Sequence, residues 1–140
     1  MSIPAGFEPF SEQGFMGHIA PLYRRREGMR IELGALIAAH QSNPLGAAHG
    51  GFLTALMDVT IGLNCAVALS GKEEVVATVQ LNVNMVAAAR AGEFVTTHAT
   101  IDRITRSLSF ASGRIAVGER TVMTATAIFR NPPGYEPKLA

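Results

Sequence analysis

The sequence carries little charge. Only 16% of its 140 residues are charged, and 12 lysines and arginines against 11 aspartates and glutamates leave a net charge of +1. No overall field therefore draws the chain to nucleic acid or to an anionic membrane, and we expect neither as a partner. The one local excess, Arg24, Arg25 and Arg26, is short and has no interleaved aromatic residues. We interpret it as a solvated turn beside a helix, or at most as a phosphate contact.

Cysteine is almost absent. Cys65 is the one cysteine of the chain, so no internal disulfide can form. The N-terminal residues MSIPAGFEPF lack the basic-then-apolar plan of a secretion signal, and we expect a cytoplasmic protein. Cys65 lies in an apolar run with no histidine nearby in the sequence, which favours a small buried hydrophobe over a nucleophile.

Motifs for metals and nucleotide cofactors are also missing. The sequence has no Cys/His cluster with ligand spacing, and its four histidines are scattered at His18, His40, His49 and His98. It has no glycine-rich loop of the dinucleotide or Walker type. We therefore expect neither a bound metal nor a cofactor.

What the sequence does have is apolar material: 48% of the residues are hydrophobic, enough for one core at this length. We predict a single domain over residues 1–140. Residues 1–27 look irregular, with one short helical segment (GFMGHIAPLYRRRE) whose length Pro21 limits, and Met29 to about Ala39 fits a first strand. The prolines and glycine after Asn131 end the last strand, so residues 131–140 form a tail.

The longest apolar stretch, residues 51–69, approaches membrane-spanning length but contains Asp58, Asn64 and two threonines. We interpret it as a buried helix that follows the loop HQSNPLGAAHGG and ends near Ser70 and Gly71. Because such a helix is apolar nearly all round, it must be covered on most sides. In a small domain only a sheet wrapped around the helix can do that.

Four strands are predicted after this helix. Residues 75–85 alternate between apolar and mostly polar side chains, with the period of two that is typical of a strand. Three Thr- and Val-rich segments follow, EFVTTHATIDRI, SLSFASGRIAVG and TVMTATAIFR, separated by polar or glycine breaks. This order predicts an α+β fold in which an antiparallel sheet wraps around one long central helix.

Five residues around the start of the helix are candidates for function: Asn43, His49, Gly50, Gly51 and Asp58. Asn43 could simply cap a turn, His49 could be an N-cap or a satisfied core histidine, and the glycines could allow a tight entry into the helix. Asp58 is harder to explain in this way, because a carboxylate in an apolar sequence needs a cleft or a partner. No basic residue lies three or four positions away from it.

The start of the helix also offers a hydrogen-bond donor. Backbone amides at a helix N-terminus have no intrahelical partner, and glycines let another molecule approach them closely. The Gly50 amide could thus donate to a carbonyl oxygen that gains negative charge during attack. Asp58 lies seven residues beyond Gly51, about 10 Å along the helix. If both groups act on one carbonyl, the carboxylate must come from a second chain in a twofold dimer.

These motifs resemble those of the hotdog-fold acyl-CoA thioesterases, in particular the PaaI-like (phenylacetate-pathway) branch. The resemblance covers the segment HIAPLY, the loop NPLGAAHGG, the aspartate nine residues after the histidine, and VVATVQLNVNMV. The family often has a proline after that last strand, whereas this chain has AAARAGE. The resemblance implies a hotdog thioesterase domain that acts on acyl-CoA, with CoA as part of the substrate.

The resemblance also implies roles for residues. Asp58 would be nucleophile or general base, and the Gly50 amide would polarise the thioester carbonyl. Asn43 and His49 would hold the loop and the carbonyl end, and Thr78 would help to position the attacking water. Candidates for further substrate contacts, including those to the nucleotide phosphates, are Gly51, Arg90, Arg103 and Arg106. The arginines could equally be solvated strand-end residues. We expect a homodimer, and two such dimers in a homotetramer.

Two alternatives to a thioesterase remain open. A hotdog hydratase or dehydratase would use a histidine with a carboxylate as acid and base, a role that His49 could fill. A protein that binds acyl-CoA without turning it over is the other, and Asp58 argues against it because binding alone gives no reason to bury a carboxylate.

Overall fold

The computed structural model describes residues 2–74 and 76–136 of the chain. Val75 and residues 137–140, which belong to a predicted strand and to the predicted tail, lie outside the described residues. The elements, in chain order, are β1 (Glu8–Phe10), α1 (Phe15–His18), β2 (Leu22–Glu27), β3 (Arg30–Leu36), a 3-10 turn (Ala39–Gln41), α2 (Gly50–Ser70), β4 (Ala77–Met85), β5 (Phe94–Ile104), β6 (Leu108–Val117) and β7 (Arg120–Arg130).

The seven strands form one sheet in the order β1-β2-β3-β5-β6-β7-β4. Every neighbouring pair is antiparallel. The long helix α2 packs on one face of this sheet and contacts β3, β4, β5, β6 and β7. The predicted arrangement, an antiparallel sheet around one long central helix, is therefore confirmed.

The N-terminal part differs from the prediction. Leu22–Glu27, which the sequence assigned to a short helical segment, is strand β2, and only the four residues Phe15–His18 are helical. The strand predicted first is the third along the chain and ends at Leu36. Strand β2 pairs with β3 over most of its length, so pairing in the sheet overrides a weak local preference for helix.

Helix α2 begins and ends where the sequence predicts. Gly71 follows its last turn in the left-handed conformation, with φ of 76°, and donates its amide to the Val67 carbonyl. By length and composition this helix could cross a membrane, with a mean hydropathy of 1.8, but 61% of that stretch is buried inside the fold. Leu56, Met57 and Ile61 are fully buried in the core between helix and sheet.

Polar side chains of the helix and of β5 fill a gap in the sheet. Strand β3 pairs with β5 only at its C-terminal residues 34–36, and the residues of β3 before Gly34 have no backbone partner in β5. Beyond that point Asn64 takes over: its Oδ1 accepts from the Ile31 amide at 3.1 Å and its Nδ2 donates to the Ile31 carbonyl at 2.8 Å. The Thr97 hydroxyl binds the Leu33 amide at 2.8 Å in the same way. These buried side chains thus satisfy backbone groups beyond the reach of the strand ladder.

Strand β4 is one edge of the sheet, and in the described part of the chain only β7 pairs with it. A β-bulge between Thr78 and Gln80 makes Val79 an extra residue. Beyond the bulge, Leu81 and Val83 pack on the core, as strict alternation predicts. Before the bulge, the alternation of side chains between the two faces of the sheet is reversed. The Thr78 hydroxyl therefore reaches the helix, whereas strict alternation would place it on the same face as Gln80. The bulge therefore decides what Thr78 can contact.

Candidate active site

The start of α2 has one free donor. His49 is the N-cap, and its Nδ1 accepts from the Gly51 amide at 2.9 Å. The His49 carbonyl accepts from the Leu53 amide at 3.0 Å. Among the described residues the Gly50 amide has no acceptor, so it can donate to another molecule. Of the two predicted glycines, Gly51 is tied to the cap and Gly50 carries the available N–H.

His49 is therefore a cap in this structure, which was one of the alternatives for it. Because Nδ1 accepts a hydrogen bond, the neutral ring carries its proton on Nε2, on a side chain that is exposed. This geometry leaves no free basic nitrogen on the neutral ring. His49 orients the first turn of the helix and thereby the Gly50 amide.

Asn43 closes the loop that leads to the helix. Its side-chain Oδ1 accepts from the Leu45 amide at 2.9 Å and from the Ala47 amide at 3.2 Å. Its backbone amide donates to the Ala47 carbonyl at 2.7 Å. Gly46 completes the turn with φ of +82°, a conformation that few other residues adopt. Asn43 thus shapes the loop, as the turn interpretation and the family resemblance both imply.

Asp58 lies on the wall of a cleft and is half-buried. Its Oδ1 accepts from the Thr78 hydroxyl at 2.7 Å. No cation pairs with it among the described residues, so the long-range basic partner that a structural role would need is not found there. The structure brings Asp58 and Thr78 together within one chain.

Asp58 and Gly50 are far apart within that chain. Eight residues of helix separate them, which is about 12 Å along the axis at 1.5 Å per residue. Strand β4 runs beside the helix over this distance. Its first residues lie beside Asp58, and Met85 at its end lies beside Gly50, where a Cβ on the glycine would be 3.3 Å from the Met85 Cε. One protomer therefore offers the donor at one end of β4 and the carboxylate at the other.

The three candidate arginines lie in two places. Arg90 bridges to Ala47 in the loop before Gly50, and its amide donates to Glu93 at 2.7 Å. Arg103 is at the far end of β5, and Arg106 lies in the following turn beside a cavity of about 590 Å³ that also includes Arg130. Only Arg90 is near the Gly50 amide of its own chain.

The arginine run Arg24–Arg26 has acidic partners. Arg24 and Arg26 both bind the Glu73 carboxylate, at 2.9 Å each, and these contacts hold the pKa of Glu73 below its usual value. Arg25 binds the nearly buried Glu32 at 3.2 Å. The run belongs to strand β2 and is not the turn that the sequence suggested. Its three positive charges are paired with carboxylates of the same chain.

Two other reactive side chains have no part in this cleft. Burial raises the pKa of the Cys65 thiol to about 11, so it stays protonated at neutral pH, in keeping with its predicted structural role. Burial also lowers the pKa of His98, against the opposing effect of Glu32 at 3.1 Å. Among the residues that the structure describes, no three His, Cys, Asp or Glu side chains are grouped to hold a metal ion.

The sequence did not indicate the lining of the cleft beside Asp58. Gly62, Val76 and Phe129 line it, and Glu12 and Glu74 also border it. Gly62 carried a usable signal, because a glycine in the interior of a helix, one turn after the candidate carboxylate, is unfavourable unless space is needed there. Glu12 and Phe129 gave no such signal, since distant parts of the chain bring them to the cleft.

The fold and the site define a class: a hotdog protein with a free amide at the start of the central helix and a carboxylate two turns along it. A sequence model of the thioesterase superfamily matches residues 45–126, more than half of the chain. The chain also matches the Pseudomonas aeruginosa protein named "Putative esterase PA0474", with 33% identity over 134 residues, 94% of this chain and 99% of that protein. The chain belongs to the thioesterase superfamily and is a thioester hydrolase.

Solved structures agree on the fold. A variant of the phenylacetic acid degradation protein PaaI from Thermus thermophilus is similar with a TM-score of 0.71 and 18% identity, over 79% of this chain and 93% of that one. A hypothetical thioesterase from Streptococcus pneumoniae, solved with coenzyme A, has a TM-score of 0.69 and 21% identity, over 89% and 94% of the two chains. The hotdog fold inferred from the sequence is confirmed.

Proposed function

We propose that this protein is an acyl-CoA thioesterase, which hydrolyses an acyl-CoA to a free acid and CoA between two copies of the chain. The observation that carries the proposal is the pair of complementary groups along β4: the free Gly50 amide at one end, and Asp58 with Thr78 at the other. The similar Streptococcus pneumoniae protein was solved with coenzyme A, which supports a CoA ester as the substrate.

The edge of β4 supports a dimer of a particular geometry. Val79, Met85 and Val86 are about half exposed, at 53%, 49% and 55%, along a strand whose outer edge is unpaired in the described sheet. Edges of this kind readily pair with another strand. A twofold axis beside β4 would reverse the partner's strand. The Met85 end of one copy, with its Gly50, would then lie beside the Thr78 end of the other, with its Asp58.

In this dimer the two groups divide the chemistry. The Gly50 amide donates to the thioester oxygen as negative charge grows on it, which lowers the barrier to attack. Asp58 of the other copy either attacks the carbonyl carbon, forming an anhydride that water then cleaves, or takes the proton from the attacking water. CoA leaves as its thiolate and takes up a proton in either route. Because Thr78 binds Oδ1, Oδ2 is the carboxylate oxygen available to react.

The remaining roles are proposals of the same kind. Asn43 and His49 hold the loop and the Gly50 amide in place, and Gly51 acts through its bond to His49. Arg90 is well placed for a CoA phosphate near the loop before the helix, whereas Arg103 and Arg106 could serve only from the partner subunit. We expect a cytoplasmic enzyme without a cofactor, as a homodimer or a dimer of dimers.

The alternative of a hydratase or dehydratase has less support. It requires His49 to act as a base, and its Nδ1 is bound to the Gly51 amide at 2.9 Å. The remaining ring nitrogen then carries the proton of the neutral form and can only donate.

A thiol-release assay with a panel of aliphatic and aromatic acyl-CoAs tests the proposal. We expect release of free CoA well above the uncatalysed rate with at least one acyl group. The enoyl-CoA absorbance, followed with enoyl- and 3-hydroxyacyl-CoAs, provides the matched test for a hydratase. Hydration without thiol release would replace the proposed function, and binding of acyl-CoA without either reaction would reduce the protein to a binder.

A further inference from the structure

The cavity beside Asp58 is the starting point. It has a volume of about 160 Å³ and lies between α2 and the first residues of β4. Asp58 and Thr78 line it on one side. Its apolar lining includes Gly62 and Phe129, which are both buried. A cavity with the catalytic carboxylate at its edge and an apolar interior can receive the part of the substrate that is attached to the reacting carbonyl.

Gly62 keeps this cavity open. It lies four residues after Asp58, on the same face of the helix. Glycine destabilises a helix interior relative to alanine, and no turn or cap requires one here. A Cβ at this position would lie 3.1 Å from Phe129 Cε2 and 3.8 Å from Val76 Cγ2. An alanine would therefore occupy the cavity and press on the Phe129 ring.

The mouth of the cavity is negatively charged. Glu12, from the segment before α1, and Glu74, from the loop before β4, border it together with Asp58. Both glutamates are exposed, and neither has a cationic partner among the described residues. Three carboxylates around one opening disfavour a ligand that carries another negative charge.

We propose that this cavity is the acyl pocket, that Gly62 sets its depth, and that Glu12 and Glu74 exclude anionic acyl groups. The proposal rests on the proposed function. A cavity of about 160 Å³ within one protomer suits a short acyl group better than a long one. The substrate class is thus the CoA ester of a short, uncharged acid, whose acyl group enters the subunit that supplies Asp58.

The depth is tested by opposite changes at two lining residues. Val59, like Gly62, lines the cavity. The values of kcat/KM are measured for acetyl-, butanoyl-, hexanoyl- and octanoyl-CoA with the wild type, Gly62→Ala and Val59→Ala. Gly62→Ala should lower the hexanoyl-CoA value about tenfold relative to the acetyl-CoA value, since one methylene in an apolar pocket is worth at least that much. Val59→Ala enlarges the pocket and should shift the preference toward octanoyl-CoA.

Melting temperatures of both variants control for a general loss of structure. If wild type hydrolyses these esters and both variants change all four values by one common factor, or by none, the cavity is not the acyl pocket although the enzyme is a thioesterase. If the wild type releases CoA from none of a broad panel, the proposed function itself fails. The two failures are therefore distinguishable.

The charge at the mouth is tested with two esters of equal chain length, pentanoyl-CoA and glutaryl-CoA, which differ in a terminal carboxylate. The ratio of their kcat/KM values should favour pentanoyl-CoA in the wild type and fall several-fold in Glu12→Gln. Glu119→Gln removes an equal charge from the exposed turn between β6 and β7, and should leave the ratio unchanged. An equal fall of the ratio in both variants would show a general effect of net charge and contradict a role for Glu12.

Discussion

Helix α2 contains two kinds of polar residue, and their surroundings differ. Asn64 is 5% exposed, and the oxygen and the nitrogen of its side-chain amide both bind backbone atoms of Ile31 in the gap between β3 and β5. Asp58 is half-buried, faces a cavity, and has one hydroxyl partner on one of its two oxygens. Sequence alone presents both as polar interruptions of an apolar helix. The structure distinguishes them by what remains unsatisfied: Asn64 has completed its bonds, whereas Asp58 has capacity left for a substrate.

Asp58→Asn should have the largest effect among the variants that separate these two roles. The isosteric amide can neither attack a carbonyl nor accept a proton from water, so we expect kcat to fall by about three orders of magnitude or more. The melting temperature should stay close to that of the wild type, because the side chain is only half-buried and keeps its contact with Thr78. Thiol release and thermal unfolding measure the two effects. Near-normal activity would remove Asp58 from the mechanism, and a large loss of stability would make it structural like Asn64.

The second prediction concerns the two ends of β4. Gly50→Pro deletes the donor at the first helical position, where proline fits well, and the extended backbone of His49 (φ −63°, ψ 133°) is compatible with a following proline. This variant and Asp58→Asn should each be nearly inactive. When they exchange subunits, half of the dimers are mixed and each has one intact cleft of two, so activity should return to about a quarter of wild type.

Gly50→Ala is the matched control for this experiment, because it adds a Cβ near Met85 but keeps the amide. It should retain most of the activity. Exchange is verified by mass spectrometry of differently tagged chains, and the dimeric state of each variant by sedimentation. Verified exchange with no return of activity would contradict a cleft shared between two chains.

The third prediction concerns the buried network. Asn64→Leu leaves the Ile31 amide and carbonyl without partners inside the core, and each such group costs about 1–3 kcal/mol. We therefore expect the free energy of unfolding to fall by about 3 kcal/mol, with kcat per folded molecule unchanged. Thr60→Val, which removes one hydroxyl contact to Thr97, should cost about 1 kcal/mol. Denaturant unfolding of the three proteins measures the series, and a selective loss of kcat in Asn64→Leu would assign that residue to the active site.

Much of the fold follows from patterns that local physics controls. The length and apolar character of α2, its glycine stop and the Thr- and Val-rich strands were sufficient to predict a sheet around a central helix. The first strands were predicted less well. The residues of β2 have a sequence compatible with a helix. Their pairing with β1 and β3, together with the contacts of Arg24 and Arg26 with Glu73, stabilises them as a strand.

The site was predictable only in part, for a similar reason. The motif around Gly50 and the aspartate in an apolar helix are visible in the sequence, and the family resemblance adds Thr78. Strict alternation along β4 would direct Thr78 away from the helix, and the bulge at Val79 that reverses it leaves no mark in the period-two pattern. The roles of His49 and Gly51 also depended on the structure, because a cap bond and a free amide cannot be told apart from the letters HGG.

The smallest expected effect concerns the exposed counterpart of the buried network, the pairing of Glu73 with Arg24 and Arg26. The two guanidinium groups lower the pKa of Glu73 relative to its value in the unfolded chain. Because the pKa is lower in the folded state, the ionised carboxylate stabilises the fold at pH values above the unfolded-state pKa of about 4.5. This contribution is lost as the pH falls through the folded-state pKa. Because the Glu73 side chain is partly exposed to solvent, screening limits the effect to less than about 1 kcal/mol. Glu73→Gln should therefore be slightly less stable than the wild type at pH 7 in low salt. The difference should shrink in high salt, and it should disappear in acid once the wild-type carboxylate is protonated. Denaturant unfolding at several pH values measures this difference in stability. Glu119→Gln is the control, because Glu119 is an exposed carboxylate without an arginine partner among the described residues. A difference that persists unchanged in acid would mean that packing of the side chain, and not its charge, stabilises this corner of the sheet.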